Sequence, residues 1–149
     1  MRAYNWYLRR LGVRLEGDAR YVSPRARLDG TDYSLISLGE ECVISSDVRI
    51  LTHDFSVARI RYLVEGHPDQ DEEVLVREVN IGNNSFVGAF SILLPGTTVG
   101  KDCIVGAGSV VRGRLPDGAI TLGNPAEIIG SVYDRLPKRS DDDRNLDET

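Results

Sequence analysis

The sequence predicts an all-β chain wound as a parallel β-helix, roughly five short triangular coils stacked on one another at the spacing of sheet strands. Three observations predict it. Residues 81–116 repeat every six positions, with an aliphatic residue opening each hexad: Ile81, Val87, Leu93, Val99, Val105 and Val111. Gly follows in four of the six hexads, at Gly82, Gly88, Gly100 and Gly106. The fifth position is Ser85, Ser91, Thr97, Cys103 and Ser109 before the pattern ends at Leu115.

Period six is neither the alternation of a half-buried strand nor the 3.6 spacing of a helix. It matches a very short strand followed by a corner, with three such units per coil. The aliphatic residue fills the interior. Gly at the second position relieves crowding and tolerates unusual backbone angles, and a small residue at the fifth fits where two walls converge. Hexads opening on Leu38, Ile44 and Ile50 form a further eighteen-residue coil, and looser hexads lie around Val22 and Leu28.

Residues 1–19 form a cap: NWYLRRLGV, residues 5–13, reads as a short amphipathic helix in which Trp6, Leu8 and Leu11 cover the open first coil. A solenoid needs such a cap because a bare edge invites pairing with another chain. The repeat domain spans 20–130 and is interrupted by a loop insertion over 54–80, after which it resumes in phase at Ile81. A loop of that length is a place to look for function. Residues 126–136 read as a short C-terminal helix, and 131–149 as helix end and acidic tail.

At 149 residues the chain has enough length for one domain with its own core. No apolar run reaches the 18 or so residues that a membrane span needs, and MRAYNWYLRRLGVRLEG carries no secretory hydrophobic region. The expected compartment is the cytoplasm. Residues 1–30 hold seven Arg against three acids, while 141–149 hold five acids against one Arg, within a net charge of −5. No basic stripe interleaved with aromatics supports nucleic-acid binding. Cys42 and Cys103 occupy fifth positions of hexads and read as buried free thiols, and no Cys/His spacing suggests a metal.

Only two histidines are present, His53 and His67. His53 stands where the repeat stops and the insertion begins. On a rigid coil beside a loop it is a candidate general base, because imidazole exchanges a proton near neutral pH. A surface histidine without a role is the competing reading. His67, in EGHP, reads as a turn residue and is the rival base; the acids Asp69, Asp71, Glu72 and Glu73 beside it read as a solvated run.

The hexads, the sequence ILTHD ending at Asp54 and the later GNPA at 123–126 together resemble the hexapeptide-repeat acyltransferases, most closely the galactoside, maltose and nodulation-factor O-acetyltransferases and small polysaccharide-biosynthesis O-acetyltransferases. The resemblance covers residues 20–130. It implies a left-handed coil, a homotrimer with active sites between subunits, and acetyl-CoA as acyl donor with no metal. Carried over by position, it implies His53 as the catalytic base and the Ala89 backbone N–H as the oxyanion donor. Ala89, Ala107 and Arg112 would line the coenzyme A groove, and Phe86 would wall the acceptor side. Asp32 and Asp54 are the polar residues nearest the acceptor role. The implied reaction is direct transfer of acetyl to a sugar hydroxyl without an acyl-enzyme.

Other readings remain. The same coil carries γ-class carbonic anhydrases, but those need three histidines on zinc. N-acylation of an amino sugar or xenobiotic would use the same base and groove. Serine acetylation is disfavoured because the helical N-terminal domain typical of that group is absent, and a non-catalytic scaffold would neither bind coenzyme A nor release thiol.

Overall fold

The structure, a computed structural model, describes residues 1–30, 32–65 and 74–135. The chain opens with α1 (Arg2–Leu11), then β1 (Arg14–Glu16), β2 (Tyr21–Val22), β3 (Arg27–Leu28), β4 (Ile36–Gly39), β5 (Val43–Ile44) and β6 (Arg49–Ile50). Next come β7 (His53–Asp54), α2 (Ser56–Glu65) and β8 (Leu75–Val76). The strands resume as β9 (Val79–Ile81), β10 (Phe86–Val87), β11 (Ile92–Leu93), β12 (Thr98–Val99), β13 (Ile104–Val105) and β14 (Val110–Val111). The chain then continues through β15 (Arg114–Leu115), β16 (Ala119–Gly123) and β17 (Ala126–Ser131).

Three parallel sheets result. The first runs β1-β4-β9-β12-β15, the second β2-β5-β10-β13-β16 and the third β3-β6-β11-β14. Successive strands in the chain pass from one sheet to the next, so every sheet gains a strand per turn. Because side chains alternate along a strand, the two-residue strands send one side chain out and one in. The inward residues Val22, Ile44, Val87 and Val105 of the second sheet, and Ile50, Leu93 and Val111 of the third, are almost wholly buried. This column is the core.

The corners explain the period. The fourth hexad position takes a left-handed backbone at Asn84, Phe90, Gly96, Asp102 and Gly108, with φ of 54°, 61°, 84°, 57° and 69°. The second-position glycines relieve crowding, as expected, rather than supply the backbone freedom also expected of them. A Cβ on Gly88 would lie 2.5 Å from the Ala107 nitrogen, and one on Gly82 2.6 Å from the Gly100 carbonyl carbon. Adjacent rungs approach too closely there for any side chain. The fifth-position residues are more than small fillers. Ser85 Oγ donates to Gly100 O at 2.7 Å and accepts from Cys103 N at 3.0 Å, while Ser91 Oγ donates to Gly106 O at 3.0 Å. They tie each rung to the next.

Two expectations are corrected. Residues 126–136 are not a helix: β17 pairs antiparallel with β16, Ala119 opposite Ser131 and Gly123 opposite Ala126, and a 3₁₀ turn over Tyr133–Arg135 comes after it. The exposed edge of the second sheet recruits a strand instead of a helical cap. At the other end α1 begins at Arg2, and Gly12 ends it with a left-handed φ of 106°. Trp6 does not cover the coil. It is 64% exposed, with the Arg10 guanidinium 6.0 Å over its ring, and Asn5, Leu8 and the following Val13 are the buried residues. Asn5 Nδ2 pins the helix by donating to Ala19 O at 2.9 Å. His67 and the acidic run at 69–73 lie outside the described residues, as does the tail from 136 onward.

Candidate active site

His53 follows β6 at the exit corner of the third sheet and begins β7, which pairs antiparallel with β8, His53 opposite Val76. Arg77 N donates to Thr52 O at 2.8 Å, so the chain returning from α2 fastens the turn that carries the histidine. The ring is partly exposed, at 31%, and packs edge-on against Phe55 with centroids 5.3 Å apart.

Asp29 is the carboxylate at the ring. Its side chain is only 5% exposed, and Oδ2 lies against His53 Nδ1 in a close contact. The two atoms approach closely without meeting hydrogen-bond geometry, and the contact is ionic only when the ring is protonated. The same Oδ2 accepts from Thr52 N at 2.9 Å and Thr52 Oγ1 at 3.0 Å. Asp29 N in turn donates to Ile50 O at 2.9 Å, which stacks the corner of β3 beneath that of β6. Sequence reasoning missed Asp29. Pairing Leu28 with Ile50 in register is the signal that finds it, because the residues just after both strands then share a corner.

The other residues singled out from the sequence divide between the edges of the third sheet. Asp54 adjoins His53, and its Oδ1 accepts from Ser56 N at 2.8 Å, holding the start of α2. That backbone hydrogen bond, then the Ser56 side chain, and then the nearby charges of Arg112 and His53 hold the Asp54 carboxyl below its usual range. Arg112 thus belongs to the same edge as His53, following β14 in the same sheet. Ala89 and Ala107 sit at the opposite edge, in successive rungs, linked by Gly108 N to Ala89 O at 2.8 Å. The hydrogen bonds on either side of the Ala89 N–H run from Gly88 N to Val105 O and from Phe90 N to Ser46 O. Phe86 faces outward on the second sheet, in register with Tyr21, Val43 and Ile104. Asp32 caps the turn at Tyr33–Leu35, accepting from Ser34 N at 2.9 Å and Ser34 Oγ at 2.7 Å, bonds that lower its pKa.

Neither cysteine is placed to act as a nucleophile. Burial pushes the Cys42 thiol up to about 12 and raises Cys103 as well. Among the described residues no group of three or more His, Cys, Asp or Glu is arranged to hold a metal ion, and no helix is long and apolar enough to cross a membrane.

A β-helix built on a hexad repeat, with a histidine and a buried aspartate at one corner, defines a class of protein that comparison makes specific. Residues 78–113 match the bacterial transferase hexapeptide family model of six repeats. Protein CapG of Staphylococcus aureus is 40% identical over 125 residues, 84% of this chain and 69% of CapG. Further relatives named as acetyltransferases match over 62 to 68 residues at 32 to 37% identity, and the chain spans 21 to 34% of their length. Among solved structures, a hexapeptide-repeat acetyltransferase from Vibrio cholerae superposes with a TM-score of 0.65, covering 87% of this chain and 80% of that one at 20% identity. A galactoside acetyltransferase in complex with coenzyme A gives 0.63 at 20% identity, covering 88% and 70%. At such identities the structural likeness is one of fold. The chain belongs to the hexapeptide-repeat acyltransferases.

Proposed function

We propose that the protein is an acetyl-CoA-dependent O-acetyltransferase acting on a sugar or sugar-containing acceptor, with His53 as general base. The observation that carries the reading is the His53–Asp29 pair. A proton on Nδ1, facing the buried carboxylate, leaves the Nε2 lone pair for an acceptor hydroxyl. Asp29 is a positioning residue: it holds the ring.

Acetyl-CoA supplies the activated acetyl group. The chain's residues do the rest by direct transfer. His53 Nε2 accepts the hydroxyl proton as the oxygen attacks the thioester carbonyl. The Ala89 N–H meets the negative charge growing on the acyl oxygen, and the proton on His53 is available to the departing thiolate. Ala89, Ala107 and Arg112 form the donor side, with Arg112 suited to a phosphate. Asp32, Asp54 and Phe86 are assigned to the acceptor side. The raised thiol pKa values of both cysteines favour this route over an acyl-cysteine.

Assembly is part of the proposal. His53 and Ala89 lie on opposite edges of the third sheet, roughly five residues or on the order of 15 Å apart. One acetyl group does not bridge that span, which supports a homotrimer in which the His53 edge of one subunit meets the Ala89 edge of the next. Exposed Tyr21, Phe86 and Ile104 on the second sheet and Ile60, Leu63 and Val64 on α2 are apolar surface available for such contacts. The left-handed coil and a place in polysaccharide biosynthesis are adopted from the family resemblance. The test is thiol release from acetyl-CoA against a panel of sugars, amino sugars and nucleotide sugars, with mass measurement in solution for the trimer. Transfer to an amine in preference to a hydroxyl would replace O- with N-acetylation, and failure to bind coenzyme A would favour a scaffold.

A further inference from the structure

The outer face of the third sheet changes character along the prism. Its outward residues, in register, are Arg27, Arg49, Ile92 and Val110. The first two set like charges on adjacent strands, about 4.8 Å apart, an arrangement that costs stability on its own. Among the described residues neither arginine has a carboxylate partner. Asp47, which lines the same depression, is ion-paired to Arg25 at 2.8 Å.

The surroundings are shaped as well as charged. Arg27 lines three adjoining depressions: one with Arg49, Asp47, Phe90 and Ile92, one with Arg25 and Pro24, and one with Tyr4, Tyr7 and Tyr33 beneath α1. The three share Arg27, and the one lined by Arg27, Arg49 and Phe90 forms a groove on the sheet.

Phe90 is the second unusual residue. Its φ is 61°, in a corner column where the equivalent positions are Asp47 and Gly108. A bulky side chain in the left-handed region is strained, yet the ring is 66% exposed. It therefore costs conformational energy while gaining little packing in the fold. An exposed aromatic beside two arginines that have no carboxylate partner among the described residues is a platform for a ring attached to an anion.

The strands that carry the two arginines, β3 and β6, run on toward the base. Asp29 is two residues beyond Arg27 in the chain, and His53 four beyond Arg49. A ligand held by both arginines lies within one or two sugar units of the histidine.

We infer that this groove binds a saccharide carrying a negatively charged group, a carboxylate or a phosphate, with Arg27 and Arg49 gripping the anion and Phe90 stacking on a ring. The inference deepens the acetyl-transfer reading by naming its acceptor class, and it rests on that reading for the chemistry after binding.

Titration calorimetry of the full chain tests it with UDP-N-acetylglucosamine, galacturonic acid, uncharged N-acetylglucosamine and galactose, and coenzyme A. At least one charged saccharide is expected to bind about tenfold or more tightly than its uncharged counterpart, and less tightly as salt is raised. Which one binds tells phosphate from carboxylate. The Arg27→Gln/Arg49→Gln pair removes that preference and leaves coenzyme A affinity unchanged. Phe90→Asn, which suits the left-handed backbone, keeps or raises the melting temperature and weakens saccharide binding about two- to tenfold. Equal binding of charged and uncharged sugars, no binding of either, or a loss confined to coenzyme A overturns the inference. If the double variant fails to fold, Arg49→Gln alone and the salt dependence of wild type decide. Charged-sugar binding without thiol release from acetyl-CoA leaves the groove standing and the transferase reading fallen. Transfer with equal kcat/KM on charged and uncharged acceptors does the reverse.

Discussion

Nδ1 of His53 rests against Oδ2 of Asp29, a buried carboxylate that also holds both the backbone and the hydroxyl of Thr52. One oxygen thus fixes the residue before the histidine and the ring itself. The first prediction concerns this pair. Asp29→Asn keeps the size but removes the charge, and kcat falls by at least about tenfold, within the roughly 10⁴-fold range seen when a catalytic histidine loses its orienting carboxylate. Acetyl-CoA KM does not change. A variant with reduced stability but an unaltered kcat would reduce Asp29 to a structural role.

Gly88→Ala tests the close stacking of rungs. Its Cβ would meet the Ala107 nitrogen at 2.5 Å, and backbone cannot swing aside as a flexible side chain can. Overpacking of this kind costs about 1–3 kcal/mol. Urea unfolding reads it directly, and a midpoint equal to wild type contradicts the rung geometry.

Ser85→Ala removes a donor to Gly100 O and an acceptor for Cys103 N in one step. A buried backbone N–H left without a partner costs about 1–3 kcal/mol. Ser85→Cys is expected to recover part of this, since the homologous position already holds Cys103, whose thiol donates to Pro116 O at 3.1 Å. Equal stability of all three proteins would show that the hydroxyl contributes nothing.

The Tyr133 hydroxyl donates to Asp102 Oδ2 at 2.8 Å, and Asp102 also accepts from Asn84 at 2.8 Å. The carboxylate pushes the Tyr133 phenol up to about 12, while the Asn84 and Tyr133 hydrogen bonds lower the Asp102 pKa. A raised tyrosine contributes below its unfolded value near 10 and is lost as pH rises through the folded value; a lowered aspartate contributes above its unfolded value near 4 and is lost as pH falls. The contact is therefore at full strength between about pH 4 and 10 and is lost as pH rises through about 12 or falls well below 4. The difference in ultraviolet phenolate titration between wild type and Tyr133→Phe isolates this group, and a midpoint near 10 is the contrary result.

Thiol reagents should leave native protein unmodified, because Cys42 and Cys103 are both buried with raised pKa values. Labelling appears only in denaturant. Prompt labelling of native protein would reopen the acyl-cysteine route.

Much of the frame is legible because one short-range rule generates it. The aliphatic column at Val87, Leu93, Val99 and Val105 and the glycine beside it come directly from the hexads. Asp29 is not legible, because Leu28 and Ile50 are paired across a coil lengthened by the 3₁₀ turn at Tyr33–Leu35. Fixed spacing does not count across such a turn. AEIIGS, residues 126–131, suggests a helix because its local preference ignores the open edge of β16 that pairs with it. Trp6 is misplaced for a similar reason: the helix turns its Asn5 and Leu8 face to the coil, and only packing decides which face that is. The strain at Phe90 belongs to the corner geometry, invisible until φ is known.

The most direct test of the central claim compares initial rates of thiol release from acetyl-CoA, in the presence of a saccharide acceptor, for wild type and His53→Ala. With His53 as base, the substitution lowers kcat by about 10²–10⁴-fold while coenzyme A still binds. Full activity in His53→Ala, with loss instead in His67→Ala, contradicts the assignment of the active site.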